Sequence, residues 1–279
     1  GFRDFDPRTE RRGTIEAEQR YGSYLASAGT DVGERRANNE DQYAILRFDE
    51  FNETLMLVAD GMGGAADGEV ASSMAKDTVG TVYLEERRKG TSPVDALKVA
   101  FQKANEAIAS YNSTNHKDAA TTCVASILAD DGKYVVANSG DSRAYKITDA
   151  RAEQLTEDQS IAGALVRGGM IRPEELYDHP NRSALEHFLG KDGSKFKVDS
   201  FEGELTDGEQ LLLCSDGLWE MTRDADGAVI HQFARSIDNQ EEAVRRLIAK
   251  ANNEGGEDNI TLALAKRVKE EFDATTETE

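Results

Sequence analysis

The sequence predicts an α+β protein, a four-layer α-β-β-α sandwich in which two antiparallel sheets pack face to face and helix pairs cover their outer faces. Two observations carry this prediction. Strand signals follow one another between residues 121 and 147 with no helix between them, which indicates antiparallel pairing. Helical patterns come in pairs elsewhere, near 67–89 with 93–111 and near 224–235 with 239–252.

The other elements are predicted in chain order from hydrophobic periodicity and turn residues. Residues 1–22 are charged and aperiodic, and we interpret them as a flexible arm or as a strand added to a sheet. Two short helices near 158–168 and 172–177 form an insertion, and the acidic tail from Lys269 is expected to fray. Strands are predicted near 24–28, 43–48, 55–59, 121–128, 134–137, 144–147, 185–189, 196–202, 210–214 and 260–268.

Charge and composition exclude some classes of function. The 279 residues include 53 Asp and Glu against 33 Lys and Arg, a formal net charge of −20. General nucleic-acid binding needs basic surface that displaces counterions from phosphates, so it is not expected. No apolar run approaches the roughly 18 residues of a membrane-spanning helix. Cys123 and Cys214 lie far apart in apolar runs, which favours buried thiols in a reducing, cytoplasmic compartment and leaves one disulfide open.

The stretch around Asp60 is the most informative. Residues 55–59 form an apolar run typical of a buried strand, Asp60 ends it, and glycines stand at 61, 63 and 64. Glycine there lets the backbone turn sharply and pass close to a ligand. A charge at the edge of a core is unfavourable unless something pairs with it. We therefore predict that Asp60 is the central ligand of a metal site.

Further acidic positions stand beside predicted strands and turns. Asp216 ends an apolar strand before glycine, as Asp60 does, and Asp258 lies in a glycine-rich turn before the last strand. Asp141 interrupts two strands within Gly-Asp-Ser, and the pair Glu40-Asp41 precedes a strand. A single Asp-Gly pair is ordinarily a turn. The repetition of strand, acid and turn favours a shared site.

The ligand chemistry then selects the metal. Carboxylate oxygens without His or Cys favour Mg²⁺ or Mn²⁺ over Zn²⁺. Two carboxylates about 4 Å apart repel by roughly 4 kcal/mol at an effective dielectric constant near 20. Several carboxylates gathered at one edge of the sandwich would therefore protonate or move apart unless cations held them.

A series of motifs matches a known family in order along residues 23 to 268. They are Asp31-Val-Gly with Arg36-Ala-Asn-Asn-Glu40-Asp41, Val58-Ala-Asp60-Gly-Met-Gly-Gly64, Thr121-Thr122, Ala137-Asn-Ser-Gly-Asp141-Ser-Arg143, Leu155-Thr-Glu-Asp158, Cys214-Ser-Asp216-Gly217 and Gly255-Gly-Glu-Asp258-Asn-Ile-Thr261. Together they resemble the metal-dependent protein phosphatases of type 2C, the PPM family, in its compact bacterial form. The resemblance implies one phosphatase domain at 23–268 with a flap at about 158–188, between an arm at 1–22 and a tail at 269–279.

The resemblance implies a site with two metal ions. Asp60 would bridge both ions, and the carbonyl of Gly61 would bind one of them. Asp216 and Asp258 would bind one ion, and Glu40 would reach the other directly or through water.

The resemblance also implies supporting groups around the two ions. Asp41 would be a close support or a water-mediated ligand. The family often shows a third, weakly bound ion. Asp141 matches the residue that binds this ion together with Asp216. Arg36 would hold the substrate phosphate as a substrate-binding and catalytic residue; without the resemblance, a loop arginine would be an ordinary surface charge.

The implied activity is hydrolysis of phosphoserine and phosphothreonine in proteins by a hydroxide that bridges two Mn²⁺ or Mg²⁺ ions. The implied partners are phosphorylated proteins and a cognate Ser/Thr kinase, and the chain is expected to be a cytoplasmic monomer. Met62 stands where eukaryotic relatives have a His proposed as general acid, and it reads as a packing residue. Gln159 replaces a common His at the start of the flap, which leaves substrate preference open.

Two alternatives compete with this interpretation. The first is a dinucleotide-binding domain, because residues 61–66 fit Gly-x-Gly-x-x-Ala between a strand and a helix. The consecutive strands at 121–147 contradict the alternating βαβ order that such a domain requires. The second alternative is a catalytically inactive scaffold that keeps the phosphatase-like fold.

Overall fold

The elements of the protein are defined by a computed structural model that describes residues 13–64, 66–190 and 196–268. Its strands are β1 Gly13–Ile15, β2 Gln19–Tyr21, β3 Tyr24–Asp31, β4 Asp41–Phe48, β5 Glu53–Met62, β6 Ala120–Thr121, β7 Cys123–Ala129, β8 Lys133–Ser139, β9 Arg143–Ile147, β10 Ala152–Gln154, β11 Asp199–Glu204, β12 Gln210–Cys214 and β13 Ile260–Arg267. Its helices are α1 Asp67–Arg88, α2 Pro93–Asn115, α3 Ile161–Arg167, α4 Asp216–Thr222, α5 Ala228–Ser236 and α6 Gln240–Asn253, with short 3₁₀ helices at Asp49–Phe51 and Pro173–Asp178.

These strands form two antiparallel sheets. The first has the order β1-β3-β13-β12-β9-β10, with β2 also paired to β3, and the second has the order β11-β8-β7-β5-β4, with β6 paired to the end of β5. Every strand pairing within the described ranges is antiparallel. This arrangement confirms the predicted α+β class.

Three apolar cores separate the four layers. The inner core, with Met56 and Leu213 as examples, lies between the sheets. A second core holds α1 and α2 on the second sheet, and a third holds α4, α5 and α6 on the first sheet. Fully burying a side chain such as Phe101 or Leu247 contributes about 1.5–3 kcal/mol. The hydrophobic patterns of the helices and strands therefore fix which face of each element turns inward.

The region before β3 contains strand rather than only an arm. β1 and β2 both pair with β3, so residues 13–15 and 19–21 belong to the first sheet. Residues 1–12 and 269–279, and with them most of the predicted arm and the tail, lie outside the described residues. No helix in the described ranges is long and apolar enough to span a membrane. Cys123 and Cys214 are both buried free thiols.

Several local predictions of element type and bounds were wrong. The strand predicted at 55–59 does not stop at Asp60 but continues to Met62, because Gly61 and Met62 pair with β6. The helix predicted at 224–235 begins only at residue 228. The Asp224 carboxylate lies outside the helix and accepts hydrogen bonds from the N–H groups of Val229 and Ile230 in its first turn. The segment predicted as a strand at 185–189 makes only isolated bridges.

Candidate metal centre

Three carboxylates from distant parts of the chain meet at one end of the sandwich. Asp60 comes from β5, Asp216 is the first residue of α4, and Asp258 lies in the turn before β13. One ligand oxygen of each lies within 4.8 Å of the others. The cleft around them has a volume of about 210 Å³, and Arg36 and Glu40 also line it.

Strand pairing brings Asp216 and Asp258 together. β12 and β13 are antiparallel neighbours in the first sheet, so the residues that follow β12 lie beside the residues that precede β13. The Ser215 N–H donates to the carbonyl of Thr261 at 3.0 Å, and the Thr261 N–H donates to the Ser215 hydroxyl at 3.1 Å. A Cβ on Gly217 would lie 1.9 Å from the Asn259 carbonyl oxygen, so only glycine permits this approach. The start of α4 is therefore held against the turn that carries Asp258.

The end of β5 holds Asp60 and Gly61 in position. The Asp60 N–H donates to the Thr122 hydroxyl at 3.1 Å, and the Thr122 N–H donates to the Asp60 carbonyl at 2.9 Å. A Cβ on Gly61 would lie 1.9 Å from the Gly68 carbonyl oxygen. The absence of a side chain at Gly61 thus allows the start of α1 to pack directly on the strand beside the carboxylates.

Asn259 connects two loops of the site, although the sequence motifs predict no role for it. Its Oδ1 accepts the Glu40 N–H at 2.9 Å, while its Nδ2 donates to the carbonyls of Val32 and Asn38, each at 2.9 Å. Its place directly after Asp258 in a matched motif was the signal that could have found it. Asn259 therefore fixes the Glu40 loop relative to the Asp258 turn.

Asp41 lies behind the cleft rather than in its lining. Its residue is 4% exposed, and its Oδ2 accepts a 2.7 Å hydrogen bond from the Thr261 hydroxyl. Its Oδ1 is buried without a hydrogen-bond partner, and so is Oδ1 of Asp216. Buried carboxylate oxygens rarely lack a partner. Two such oxygens beside Asp60, in an all-oxygen donor set, fit a site for hard divalent cations.

The electrostatics of the cluster agree with this fit. Burial and then the charge of Asp258 raise the pKa of Asp216 to about 8, and burial raises the pKa of Asp41 to about 6. Burial, followed by the charges of Asp41 and Asp216, raises the pKa of Asp60 well above its usual value. In the absence of cations these acids hold protons that solvent-exposed carboxylates would release.

Arg36 and Asp141 complete the predicted set around the cleft. Arg36 is largely exposed, and its Nε lies 3.2 Å from Oδ1 of Asp258. Asp141 also lines the cleft; burial and then the charge of Asp216 raise its pKa well above the usual value. The structure thus brings into one cleft Arg36, Glu40, Asp60, Gly61, Asp141, Asp216 and Asp258. The individual ligand roles of these residues remain predictions.

The glutamine at the start of the flap has a structural place. Gln159 is 2% exposed, its Oε1 accepts the Gly140 N–H at 2.8 Å, and its Nε2 donates to the Asp199 carboxylate at 2.8 Å. Gln159 therefore supports the turn that carries Asp141 and does not face the cleft. From the flap itself, Ser183 and Leu185 line the cleft.

Sequence comparison agrees with the geometry of the cleft. Residues 28–252 match the family model described as protein phosphatase 2C. The chain is 36% identical over 248 residues to a serine/threonine phosphatase stp of Listeria monocytogenes, covering 85% of this chain and 94% of the relative.

Solved structures match the fold closely. The crystal structure of the serine/threonine phosphatase PstP/Ppp of Mycobacterium tuberculosis superposes with a TM-score of 0.76 at 31% identity, covering 88% of this chain and 99% of that chain. The catalytic domain of PstP in complex with two manganese ions gives a TM-score of 0.75 at 30% identity and covers 88% and 99% of the two chains. The family match spans most of the chain, and these relatives cover 85–88% of it. The chain is therefore a member of the protein phosphatase 2C family.

Proposed function

We propose that the protein hydrolyses phosphoserine and phosphothreonine side chains of proteins and that it uses two Mn²⁺ or Mg²⁺ ions. The observation that carries the proposal is the convergence of Asp60, Asp216 and Asp258 within 4.8 Å. Membership of the protein phosphatase 2C family and the manganese-bound relative support the same reaction.

The cleft residues divide into ligands and supports. Asp60 would contact both ions, the Gly61 carbonyl one of them, and Asp216 and Asp258 would bind a single ion. Glu40 would reach the other ion directly or through water. When bound, the two ions supply a water of lowered pKa as nucleophile and neutralise negative charge on the phosphoryl oxygens.

Two further acids extend this assignment. Asp141 and Asp216 would share a third ion, because both line the cleft. Asp41 would act as a support: the Thr261 hydroxyl holds one of its oxygens and leaves the other free for a water beside the cleft.

Arg36 would bind the phosphate of the substrate. Its side chain is 54% exposed at the edge of the cleft, so a phosphate dianion can reach the guanidinium without displacing buried groups. Guanidinium groups bind phosphate oxygens in a bidentate geometry and neutralise charge that develops during transfer. Met62 has no titratable proton, so the leaving alkoxide takes its proton from water.

The chemistry also indicates the partners. The substrates would be phosphorylated proteins, and a Ser/Thr kinase would supply them. The formal charge of −20 opposes nucleic-acid binding. We propose that the protein acts as a monomer in the cytoplasm.

Hydrolysis assays with purified protein test this function. We expect release of phosphate from a phosphothreonine peptide and from p-nitrophenyl phosphate in the presence of Mn²⁺ or Mg²⁺, and loss of both activities in EDTA. Restoration by added Mn²⁺ is the control for damage by the chelator. Absence of hydrolysis by folded, Mn²⁺-loaded protein would refute the proposal and leave the inactive scaffold as the explanation.

A further inference from the structure

The single tryptophan of the chain connects two acids of the cleft. Trp219 is 2% exposed and lies on α4, three residues after Asp216. Its Nε1–H donates to the backbone carbonyl of Asp141 at 3.0 Å. Residues three apart lie on neighbouring positions of one helix face, so the indole and the Asp216 side chain leave α4 toward the same region. This hydrogen bond therefore ties the helix that carries Asp216 to the turn that carries Asp141.

A buried cation fixes the indole from the other side. The guanidinium carbon of Arg143 lies 3.6 Å from the centre of the Trp219 ring, within the range of a cation–π interaction. Arg143 is bound bidentately by the Asp158 carboxylate, at 2.8 and 2.6 Å, and both side chains are 5% exposed. The face of the indole thus rests on a charge whose own position is set by two hydrogen bonds.

The flap contributes two of these contacts. Asp158 is its first residue, and the Tyr177 ring meets the Trp219 ring edge-on, with centroids 6.0 Å apart and an interplanar angle of 71°. Arg167 of α3 also donates to the Asp158 backbone carbonyl. The flap is therefore anchored on the same indole that bonds to the Asp141 turn.

A buried ion pair is weak evidence of anything more than structure, because apolar residues of similar volume often serve equally well. Two features of this pair point beyond stability. First, Arg143 of this pair contacts the ring of Trp219, whose N–H donates to the Asp141 carbonyl. In addition, Asp141 and Asp216 both line the cleft, so their separation decides how well they can share a cation.

We propose that Trp219 is a positioning residue that sets the separation of Asp141 and Asp216, and that the Arg143–Asp158 pair couples this separation to the anchoring of the flap. The inference rests on the proposed function, because it concerns the cation that these two acids would share. Loss of the indole N–H should lower the affinity for that cation and leave the binding of the cations held by Asp60 and Asp258 unchanged.

The first test is Trp219→Phe, which keeps an aromatic ring under Arg143 and removes the N–H. Calorimetric titration of the full chain with Mn²⁺ should show the weakest binding step weakened about tenfold, the size expected when a ligand loses a supporting contact. The tighter steps should stay within twofold of wild type. Tyr83→Phe is the matched control, because it removes one buried aromatic hydrogen bond, to Glu53, at a site remote from the cleft.

The second test addresses the flap. Asp158→Asn removes the charge that holds Arg143 and should weaken the same Mn²⁺ step, whereas a purely structural pair would only lower the melting temperature. Glu53→Gln is the control, because Glu53 is likewise the buried partner of an arginine, Arg87. It should lower the melting temperature without changing Mn²⁺ binding.

A third measurement needs no substitution. The chain has one Trp, so incorporation of 5-fluorotryptophan gives a single ¹⁹F resonance. We expect Mg²⁺ to shift this resonance with the concentration dependence of the weakest step. A resonance that stays fixed through saturation, or a Trp219→Phe variant that binds Mn²⁺ as wild type does or loses all steps equally, overturns the inference. Wild-type protein that binds no Mn²⁺ would instead refute the proposed function.

Discussion

Asp41 and Asp60 stand directly opposite each other on the neighbouring strands β4 and β5. The Thr261 hydroxyl holds one oxygen of Asp41, and the other oxygen is buried without a partner. Two carboxylates in such positions repel each other when ionised, and burial adds to the cost. Without cations the cleft is therefore a source of instability that protons or metal ions relieve.

The stability of the metal-free protein should fall as the pH rises. Burial raises the pKa of Asp216 from 3.8, its ordinary value, to about 8, so between these values the folded state holds a proton that the unfolded chain has released. Stability is then greatest below about pH 4 for this group and declines as pH rises toward 8. We expect a lower melting temperature in EDTA at pH 8 than at pH 5.5. Asp216→Asn should flatten this slope; an equal slope in the variant would contradict the assignment.

Metal ions should reverse this instability. Cations bind only the assembled carboxylates, so Mn²⁺ at about 100 times its dissociation constant should add about 2.7 kcal/mol of stability. For a domain of this size that is a rise of roughly 5–10 °C in melting temperature. The rise should be larger at pH 8 than at pH 5.5, because protons compete for the same oxygens. An unchanged melting curve in excess Mn²⁺ would show that the cleft binds no metal.

Replacing a central carboxylate should separate folding from activity. Asp60→Asn or Asp216→Asn removes a ligand charge and also relieves repulsion in the metal-free cluster. Loss of a group that only supports a metal ligand lowers activity by up to about 100-fold. Loss of the ligand charge itself should therefore lower the rate of hydrolysis by more than this. The metal-free melting temperature should stay equal or rise, as measured by circular dichroism. Retained hydrolysis in either variant would remove that residue from the site.

Substitution of Arg36 should slow the hydrolysis of a phosphopeptide, whereas substitution of its neighbour Arg35 should not. Arg36→Ala removes the guanidinium at the cleft and should lower kcat/KM by about 100-fold, the cost of one charge-stabilising donor. Arg36→Lys keeps the charge but loses the bidentate geometry, so an intermediate loss is expected. Arg35→Ala is the control, because Arg35 is exposed and does not line the cleft. Equal losses in the Arg35 and Arg36 variants would indicate a general effect of surface charge.

Asn259 should matter for metal affinity although it is not a predicted ligand. Asn259→Ala removes three hydrogen bonds that fix the Glu40 loop against the Asp258 turn. We expect Mn²⁺ affinity to fall by about 10–100-fold in calorimetry. Asn239→Ala removes the N-cap of α6 and should cost about 1 kcal/mol of stability without changing Mn²⁺ affinity. Unchanged affinity in the Asn259 variant would reduce its role to loop stability.

Predictions from the sequence failed where a short element depends on distant packing. From the sequence, Asp216-Gly217 is predicted to be a turn, whereas the structure places both residues in α4. A helix of seven residues is marginal in isolation, and α4 is stabilised by the burial of Leu218 and Trp219 in the apolar core that α6 also lines. The same limit applies to the role of Asn259, which depends on contacts with carbonyls more than 200 residues away in the sequence.

Local features of the sequence were sufficient to predict the α+β class, the antiparallel pairing and the acids at 40, 60, 141, 216 and 258 as site residues, because periodicity, turn residues and motif spacing are local properties of the chain. The tertiary structure was needed to place Asp41 behind the cleft and Asp60 within β5. It also decided that Trp219 joins Asp216 to the Asp141 turn. These relationships arise from strand register and from packing between residues far apart in sequence, which no local pattern encodes.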